Sequence, residues 1–372
     1  MNCRLGIVVL MLCTTVAVAA NDLSTIDDWT YVLQPDAGVS IVDLKASAFD
    51  LVVLDYSDDG SPSGEFSAAE IAGLRDAGKV VLAYISIGEA GDFRFYWDNA
   101  WNDEPSPDPD APSWLGPENP DFAGNFKVRY WDPTWQSLMF GTTSGPNKSY
   151  LDRILDQGFD GVYLDIVDAY EFWSDEEGLV SRLQARTDMV ALVQAIADYT
   201  RITRGRQGFL VVPQNAGEIV YDDDELVDSM GDNYRNTIDA IGVEDVFYDE
   251  TDLQPASEIE YRTTALSHYL ATGKVVLSVD YVWRKNNPLT TSNIARFNDY
   301  EQRAIVEGYI PFAAVTDREL DEMNVVSAGG GLLYSQPKIV APALSQTTLI
   351  GLCIVISGLA AVPFLKMKNR KT

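Results

Sequence analysis

The chain has 372 residues, of which 27 are basic and 56 acidic, so that its formal net charge is −29. This excess of acids makes nucleic acid a poor partner, because phosphate binding requires clustered cations, whereas it favours solubility and would attract a cationic substrate. The single histidine, His268, lies in a helical pattern and all three cysteines lie in the terminal segments, so we expect carboxylate and tyrosine chemistry.

Residues 1–20 have the organisation of a secretory signal peptide. A basic start that ends at Arg4 is followed by an apolar run over residues 5–18 and by small residues up to Ala20. We therefore predict that the protein is exported and that the mature chain begins near Ala20 or Asn21. The globular part that follows has no cysteine, so its stability must come from a large hydrophobic core and not from disulfides.

Strand-like apolar runs alternate with helical patterns through the globular part, residues 21–320. Eight strands are predicted, at residues 31–34, 49–55, 79–87, 160–165, 209–212, 239–246, 274–280 and 309–315. Helices end at Gly78, Gly158, Gly273 and Gly308, directly before four of these strands. Continuously apolar strands that alternate with helices predict a parallel sheet covered on both faces. Eight such units favour a closed (β/α)8 barrel, the TIM-barrel fold.

A long insertion, residues 90–147, follows the third predicted strand and contains five tryptophans and several prolines. Loops of this length in a compact domain are usually functional, and exposed tryptophans there would stack on sugar rings. The alternative, which we favour for most of the five, is that they pack on each other. The sequence contains no P-loop or dinucleotide-binding motif, so no cofactor is expected.

The C-terminal segment has the pattern of a membrane anchor. Residues 321–346 are predicted to form a stalk, residues 347–365 are apolar enough and nearly long enough to span a bilayer, and residues 366–372 form a basic tail that should stay in the cytoplasm. With the short motif at residues 341–345, this segment resembles bacterial C-terminal sorting signals of the PEP-CTERM and IPTL kind. We predict a cell-envelope or surface protein, either anchored in the membrane by this helix or cut by a sorting protease and then transferred or released.

Six of the apolar runs end at or near an acid, and parallel strands would gather these acids at one edge of the sheet. The acids are Asp55, Glu89, Asp165, Glu218, Glu244 and Asp280. Asp165 and Asp168 both follow one strand, where burying a carboxylate is costly unless it is paired or used. Glu244 lies in a strand-like run where an acid is least expected. Glu218 lies at a predicted helix start, where an acid balances the helix dipole.

Two carboxylates without a histidine, a cysteine or a cofactor motif fit glycoside hydrolysis. One acid protonates the leaving oxygen, the other attacks the anomeric carbon or activates water, and the distance between them decides retention or inversion. Two alternatives remain open. The first is a non-catalytic barrel that binds surface carbohydrate through the insertion. The second is an enzyme that uses the acids as ligands of a hard cation, although these strands carry no lysine or histidine to act as its base.

Several segments, in order along the chain, are similar to glycoside hydrolase family 114, the endo-α-1,4-polygalactosaminidase-like group. The segments are residues 80–90, 113–121, 127–133, 158–173, 213–216 and 243–248. The similarity covers roughly residues 29–315 and implies a (β/α)8 barrel that hydrolyses α-1,4-linked, partly deacetylated galactosamine polysaccharide. The free amines of this amino-sugar polymer suit the chain, which without Arg4 and the four tail cations has 22 basic and 56 acidic residues, or a charge of −34.

The resemblance also implies roles for individual residues. Asp165 and Glu244 match the catalytic acids of the family, Asp165 as nucleophile or base and Glu244 as acid/base. The implied reaction is endo-acting, retains the anomeric configuration and uses no metal. The side chains implied in sugar binding are Asp55, Tyr84, Glu89, Asp168, Asn215 and Tyr281.

Overall fold

The computed structural model describes residues 22–33, 39–101, 107–145, 147–286 and 290–323. The predicted signal peptide, the apolar segment 347–365 and the basic tail lie outside these residues, as does all of the predicted stalk after residue 323. Within the described part of the chain, no helix combines the length and the apolar character needed to cross a membrane.

The described residues alternate between strands and helices along most of the chain. The strands are β1 (Trp29–Val32), β2 (Leu51–Asp55), β3 (Val80–Ser86), β4 (Glu89–Gly91), β5 (Leu115–Glu118), β6 (Asn125–Val128), β7 (Gly161–Asp165), β8 (Leu210–Pro213), β9 (Ala240–Glu244), β10 (Tyr248–Asp249), β11 (Asp252–Leu253), β12 (Val275–Trp283) and β13 (Ile310–Val315). The α-helices are α1 (Ile41–Ala46), α2 (Ala68–Asp76), α3 (Pro133–Met139), α4 (Tyr150–Gln157), α5 (Ala169–Glu171), α6 (Arg182–Asp198), α7 (Ser229–Thr237), α8 (Ala256–Leu270) and α9 (Thr291–Glu307).

Eight of these strands run parallel and follow one another in chain order. One sheet has the order β1-β2-β3-β7-β8 and a second has the order β9-β12-β13. The sheets meet where Asp239 N donates to Val211 O at 3.0 Å and where Gln214 pairs with Gly242. At the other edge Trp29 Nε1 donates to Ile310 O at 2.9 Å. The predicted α/β fold with a parallel sheet is confirmed, and its arrangement is that of a TIM barrel.

The helix boundaries follow from local chemistry. At the start of α2, Glu70 N donates to Ser67 Oγ at 3.3 Å while Ser67 N donates to Glu70 Oε2 at 2.7 Å, which is the reciprocal pairing of a capping box. Gly158 with φ of 89° and Gly308 with φ of 87° end α4 and α9 in the left-handed region that favours glycine. Each helix therefore stops directly before a barrel strand, as the sequence predicted.

Aromatic side chains fill the interior of the barrel. The rings of Tyr31 and Tyr163 lie 5.2 Å apart between their centroids, and both side chains are buried. A Cβ atom at Gly242 would lie 1.9 Å from Tyr163 Oη, so only glycine leaves room for this hydroxyl. Interior packing of this density closes the barrel beneath the carboxyl ends of the strands.

The insertion folds onto the barrel as a small antiparallel sheet, β5-β6-β4, followed by α3. Trp114 and Trp135 are buried with their rings 4.9 Å apart, and Trp135 Nε1 donates to Ile87 O at 3.0 Å. Trp97, Trp101 and Trp131 are half-buried and pack on other aromatic rings. The packing interpretation of the tryptophans is therefore confirmed, and these rings stabilise the insertion.

Candidate active site

Two acids, Asp165 and Glu244, lie at the carboxyl ends of β7 and β9, on either side of β8. Tyr84 Oη donates to Asp165 Oδ2 at 2.6 Å, and Ile166 N donates to Asp165 Oδ1 at 2.8 Å. Glu244 is held in the same manner, because Asn215 Nδ2 donates to its Oε2 at 3.0 Å and Tyr281 Oη donates to its Oε1. Five of the eight predicted site residues therefore lie together. Each of the two acids accepts a hydrogen bond from a tyrosine, and Asn215 also donates to Glu244.

The two carboxylates interact electrostatically. Burial, followed by the negative charge of Glu244, raises the pKa of Asp165 to about 8. A second negative charge close to a buried carboxyl group disfavours its ionisation. At neutral pH Asp165 is therefore largely protonated.

This pKa shift predicts how stability depends on pH. Because the pKa of Asp165 lies above its usual value of 3.8, the folded state binds more protons than the unfolded state between pH 3.8 and about 8, and its stability falls as the pH rises. Asp165→Asn removes this loss of stability. We therefore expect the melting temperature of the variant minus that of wild type to increase from pH 4 to pH 8. Thermal unfolding across this range is the measurement. The half-buried Asp188 supplies the control, Asp188→Asn, and a difference that stayed constant with pH would contradict the prediction.

The backbone beside the two acids is strained at non-glycine residues. Ile166, Asn215, Ala216 and Asp245 have φ of 58°, 60°, 52° and 53°, and they directly follow or closely follow β7, β8 and β9. A left-handed conformation is unfavourable for these residues, most of all for a β-branched isoleucine, and it persists only where the surroundings enforce it. Such strain concentrates at functional sites, which supports this edge of the barrel as the active site.

A cavity of about 370 Å³ opens next to Glu244. Its acidic wall residues are Asp168, Glu171, Glu218, Glu244, Asp245 and Glu258. Among the described residues of this wall, Arg262 carries the positive charge and Tyr261 is the aromatic side chain, half exposed at 51%. Six carboxyl groups around one guanidinium create a negative potential that attracts cations.

Lys127, on β6 of the insertion, interacts electrostatically with both Asp168 and Glu89. Burial, followed by the charge of Glu171, raises the pKa of Asp168 to about 7, and the positive charge of Lys127 opposes this shift. Lys127 Nζ donates to Glu89 Oε1 at 2.5 Å, and Asn119 Nδ2 donates to the same oxygen at 2.8 Å. The insertion therefore contributes to the site through Asn119 and Lys127, which the strand-end pattern did not predict.

The two remaining strand-end acids have partners from the protein itself. Both oxygens of Asp55 accept hydrogen bonds from the buried Arg94, at 2.8 and 2.6 Å. The oxygens of Asp280 accept the N–H groups of residues 246–248 at 3.0, 2.9 and 2.8 Å, which fixes the loop after β9. The contact of Asp55 with sugar stays a prediction, whereas its ion pair with Arg94 is part of the fold.

Sequence reasoning missed several residues of the cavity wall. Glu218 was predicted at a helix start and does lie in the first turn of a short 3-10 helix (Gly217–Val220), but it also lines the cavity, and burial raises its pKa. Tyr261 and Arg262 come from the middle of α8, and Arg262 donates to Glu244 O at 3.1 Å. The dense acidic run after β7 was a signal for Glu171, whereas no local pattern marks a residue in mid-helix.

Three acids of the described residues approach each other closely enough to share a cation. They are Asp317, Asp321 and Glu322, in the segment after β13, and they are exposed or half-buried. Lys285 already forms ion pairs with Asp317 and Glu322 at 2.5 and 3.2 Å. This group includes neither Asp165 nor Glu244.

Known proteins were compared with the chain by sequence and by structure. Its sequence is 39% identical over 315 residues to an uncharacterized protein of Thermotoga maritima, with 84% of this chain and 88% of the relative covered. An uncharacterized protein of Methanocaldococcus jannaschii is 39% identical over 311 residues, with 84% and 81% covered.

Two solved structures share the fold. The glycoside hydrolase domain of PelA from Pseudomonas aeruginosa has a TM-score of 0.52 at 17% identity and covers 80% of this chain and 97% of its own. Ega3 of Aspergillus fumigatus, solved in complex with galactosamine, has a TM-score of 0.51 at 18% identity, with 80% and 92% covered.

The sequence profile of glycoside-hydrolase family GH114 matches residues 13–330, which is most of the chain. This match agrees with the parallel α/β barrel and with the two carboxylates at its strand ends. The protein is therefore a glycoside hydrolase and belongs to family GH114.

Proposed function

We propose that this glycoside hydrolase cleaves within α-1,4-linked, galactosamine-rich and partly deacetylated polysaccharide, with Asp165 and Glu244 as the catalytic pair. The observation that carries the proposal is the placement of two carboxylates at the ends of β7 and β9, each fixed by a tyrosine hydroxyl and a second donor, with Glu244 in the wall of an acidic cavity. A polymer with free amines is cationic, and the wall of six carboxyl groups matches that charge. Ega3, which shares the fold, was solved with galactosamine.

In the proposed reaction Glu244 protonates the leaving oxygen and Asp165 attacks the anomeric carbon. Water then hydrolyses the glycosyl-enzyme with Glu244 as the base, so the configuration is retained. Burial favours a proton on Asp165 in the empty site. A bound ammonium group would favour the ionised form of neighbouring carboxylates, which would prepare Asp165 as the nucleophile and leave the proton for Glu244.

The remaining predicted residues fit roles around this pair. Asp168 lines the cavity and accepts no hydrogen bond from the described residues, so its carboxylate is free for a sugar hydroxyl or amine. Tyr84, Asn215 and Tyr281 touch the catalytic acids and would orient them as well as contact the sugar. We keep Asp55 and Glu89 as proposed sugar-binding residues at the insertion side.

Product analysis of the purified globular part tests the proposal. Deacetylated and fully acetylated galactosamine polymers are incubated with the protein, and released oligosaccharides are identified by mass spectrometry. We expect a ladder of oligosaccharides from the deacetylated polymer and little from the acetylated one, with retained anomeric configuration by NMR. Only monosaccharide products would contradict an endo-acting enzyme. Binding without any release would support the alternative of a carbohydrate-binding barrel.

Export and attachment to the cell envelope rest on the sequence alone. We propose that residues 1–20 direct export and that residues 347–365 either anchor the protein or are removed by a sorting protease. Fractionation of cells that produce the whole chain distinguishes a membrane-bound, a surface-transferred and a released protein.

A further inference from the structure

Arg318 lies just after the last barrel strand, β13, and contacts the ends of two other strands. Its Nη2 donates to Asp245 Oδ2 at 2.8 Å, next to β9. Its Cζ lies 4.2 Å from the centroid of the Tyr281 ring, on β12. The arginine side chain is 29% exposed, and its own φ is 61°. A residue that holds a strained backbone and two specific contacts is fixed by its surroundings.

Arg318 also has a longer ion pair with Asp249 Oδ1 at 3.8 Å, but its contacts with Tyr281 and Asp245 both lead to Glu244. Tyr281, under the guanidinium, donates its hydroxyl to Glu244 Oε1. Asp245, the ion-pair partner, is the residue after Glu244 and has a left-handed φ of 53°. Arg318 therefore acts on Glu244 in two ways. It contacts Tyr281, which donates to the carboxylate, and it pairs with Asp245, which follows Glu244 in the backbone.

Each contact has a physical effect on the acid. A cation over an aromatic ring is attracted to the ring face and withdraws electron density from it, which makes the phenol hydroxyl a stronger donor. The ion pair with Asp245 stabilises a backbone conformation that a non-glycine residue disfavours. The second oxygen of Asp245, Oδ1, is buried and accepts no hydrogen bond from the described residues, so Arg318 is the principal charge partner of this side chain.

Other charged groups also face Glu244. The acids are Asp165, Asp168 and Asp245, and the tyrosines are Tyr31, Tyr163 and Tyr281. Arg262 donates to the main-chain oxygen of Glu244, whereas Arg318 acts near its carboxyl group. Arg318 therefore offsets part of the negative charge that surrounds the carboxyl group of Glu244.

We propose that Arg318 is a positioning residue for Glu244, which it orients through Tyr281 and Asp245. This inference rests on the proposed function, because it takes Glu244 to be the acid/base. Arg318 acts through its neighbours and does not need to touch the substrate.

Arg318→Met and Arg318→Lys test this role, with Arg303→Met as the control that removes a cation from an exposed ion pair on α9. We expect Arg318→Met to lower kcat by roughly 10-fold to 100-fold with KM changed less than about 3-fold, because a small misplacement of a catalytic group has effects of this size. Arg318→Lys keeps a cation near the Tyr281 ring and Asp245, so it should restore kcat in part.

A second readout does not depend on activity. The carboxyl carbon of Glu244 is followed by NMR in protein labelled at glutamate and is assigned with Glu244→Gln. We expect its chemical shift at one fixed pH to change in Arg318→Met but not in Arg303→Met. An unchanged chemical shift and an unchanged kcat in Arg318→Met would overturn the role of Arg318. A changed chemical shift in a protein that cleaves no polymer would refute the proposed function and leave the link between Arg318 and Glu244 in place.

Discussion

Asp165→Asn and Glu244→Gln should each lower kcat on a galactosamine polymer by about 10²-fold to 10⁴-fold, the range for loss of a positioned acid or base. Both substitutions keep the size of the side chain and an oxygen that can accept the bond from Tyr84 or Tyr281. The fold should therefore persist, which circular dichroism and thermal unfolding check. Asp188→Asn, at a half-buried acid on α6, serves as the control with unchanged activity.

The two variants should differ when the substrate carries a good leaving group. An aryl glycoside whose phenol leaves without protonation bypasses the general acid, so Glu244→Gln should recover much of its rate. Asp165→Asn should stay slow, because attack on the anomeric carbon is still needed. The opposite pattern would exchange the two roles. Full polymer activity in either variant would refute the pair.

The buried ion pair between Arg94 and Asp55 should give the largest effect on stability. Their side chains are 7% and 6% exposed. Arg94→Met leaves an uncompensated buried charge and is expected to lower the free energy of unfolding by about 3–5 kcal/mol. Denaturant titration is the measurement. Arg303→Met, at an exposed pair on α9, should cost about 1 kcal/mol or less.

A double variant separates the charge from the packing. Asp55→Leu added to Arg94→Met removes the unpaired carboxylate, so most of the lost stability should return. A loss in Arg94→Met no greater than in Arg303→Met would show that the pair contributes little. The result also bears on the predicted sugar contact of Asp55, because its effect on substrate binding can be measured only in a variant that stays folded.

Strand ends were the part of the site that sequence could predict. Asp165 and Glu244 close apolar strands, and parallel strands place their carboxyl ends at one edge of the barrel. The sequence pattern alone could not separate them from Asp55, which also ends a strand, or from Asp280, which was predicted to end a strand but lies within β12. That difference lies in partners that are remote along the chain, Arg94 for Asp55 and the N–H groups of residues 246–248 for Asp280.

The cavity wall was harder to predict for a similar reason. Tyr261 and Arg262 lie within α8, where their periodicity is that of any helix surface, and only the packing of α8 beside β9 brings them to Glu244. The insertion was recognised as a departure from the short-loop pattern. The packing of its tryptophans was predicted correctly, but its polar contribution to the site was not, because no local pattern marks Lys127 and Asn119 as the side chains that reach Glu89.

The residues with positive φ after the strands would have to be transferred with the acids if this site were grafted onto another barrel. Transplanting Asp165 or Glu244 alone would transfer a carboxyl group without the turn that aims it. The segments to transfer are Asp165 with Ile166 and Glu244 with Asp245, together with Asn215 and Ala216. A recipient barrel must also offer a glycine where Gly88 faces Ile166, since a Cβ there would lie 2.2 Å from Ile166 O.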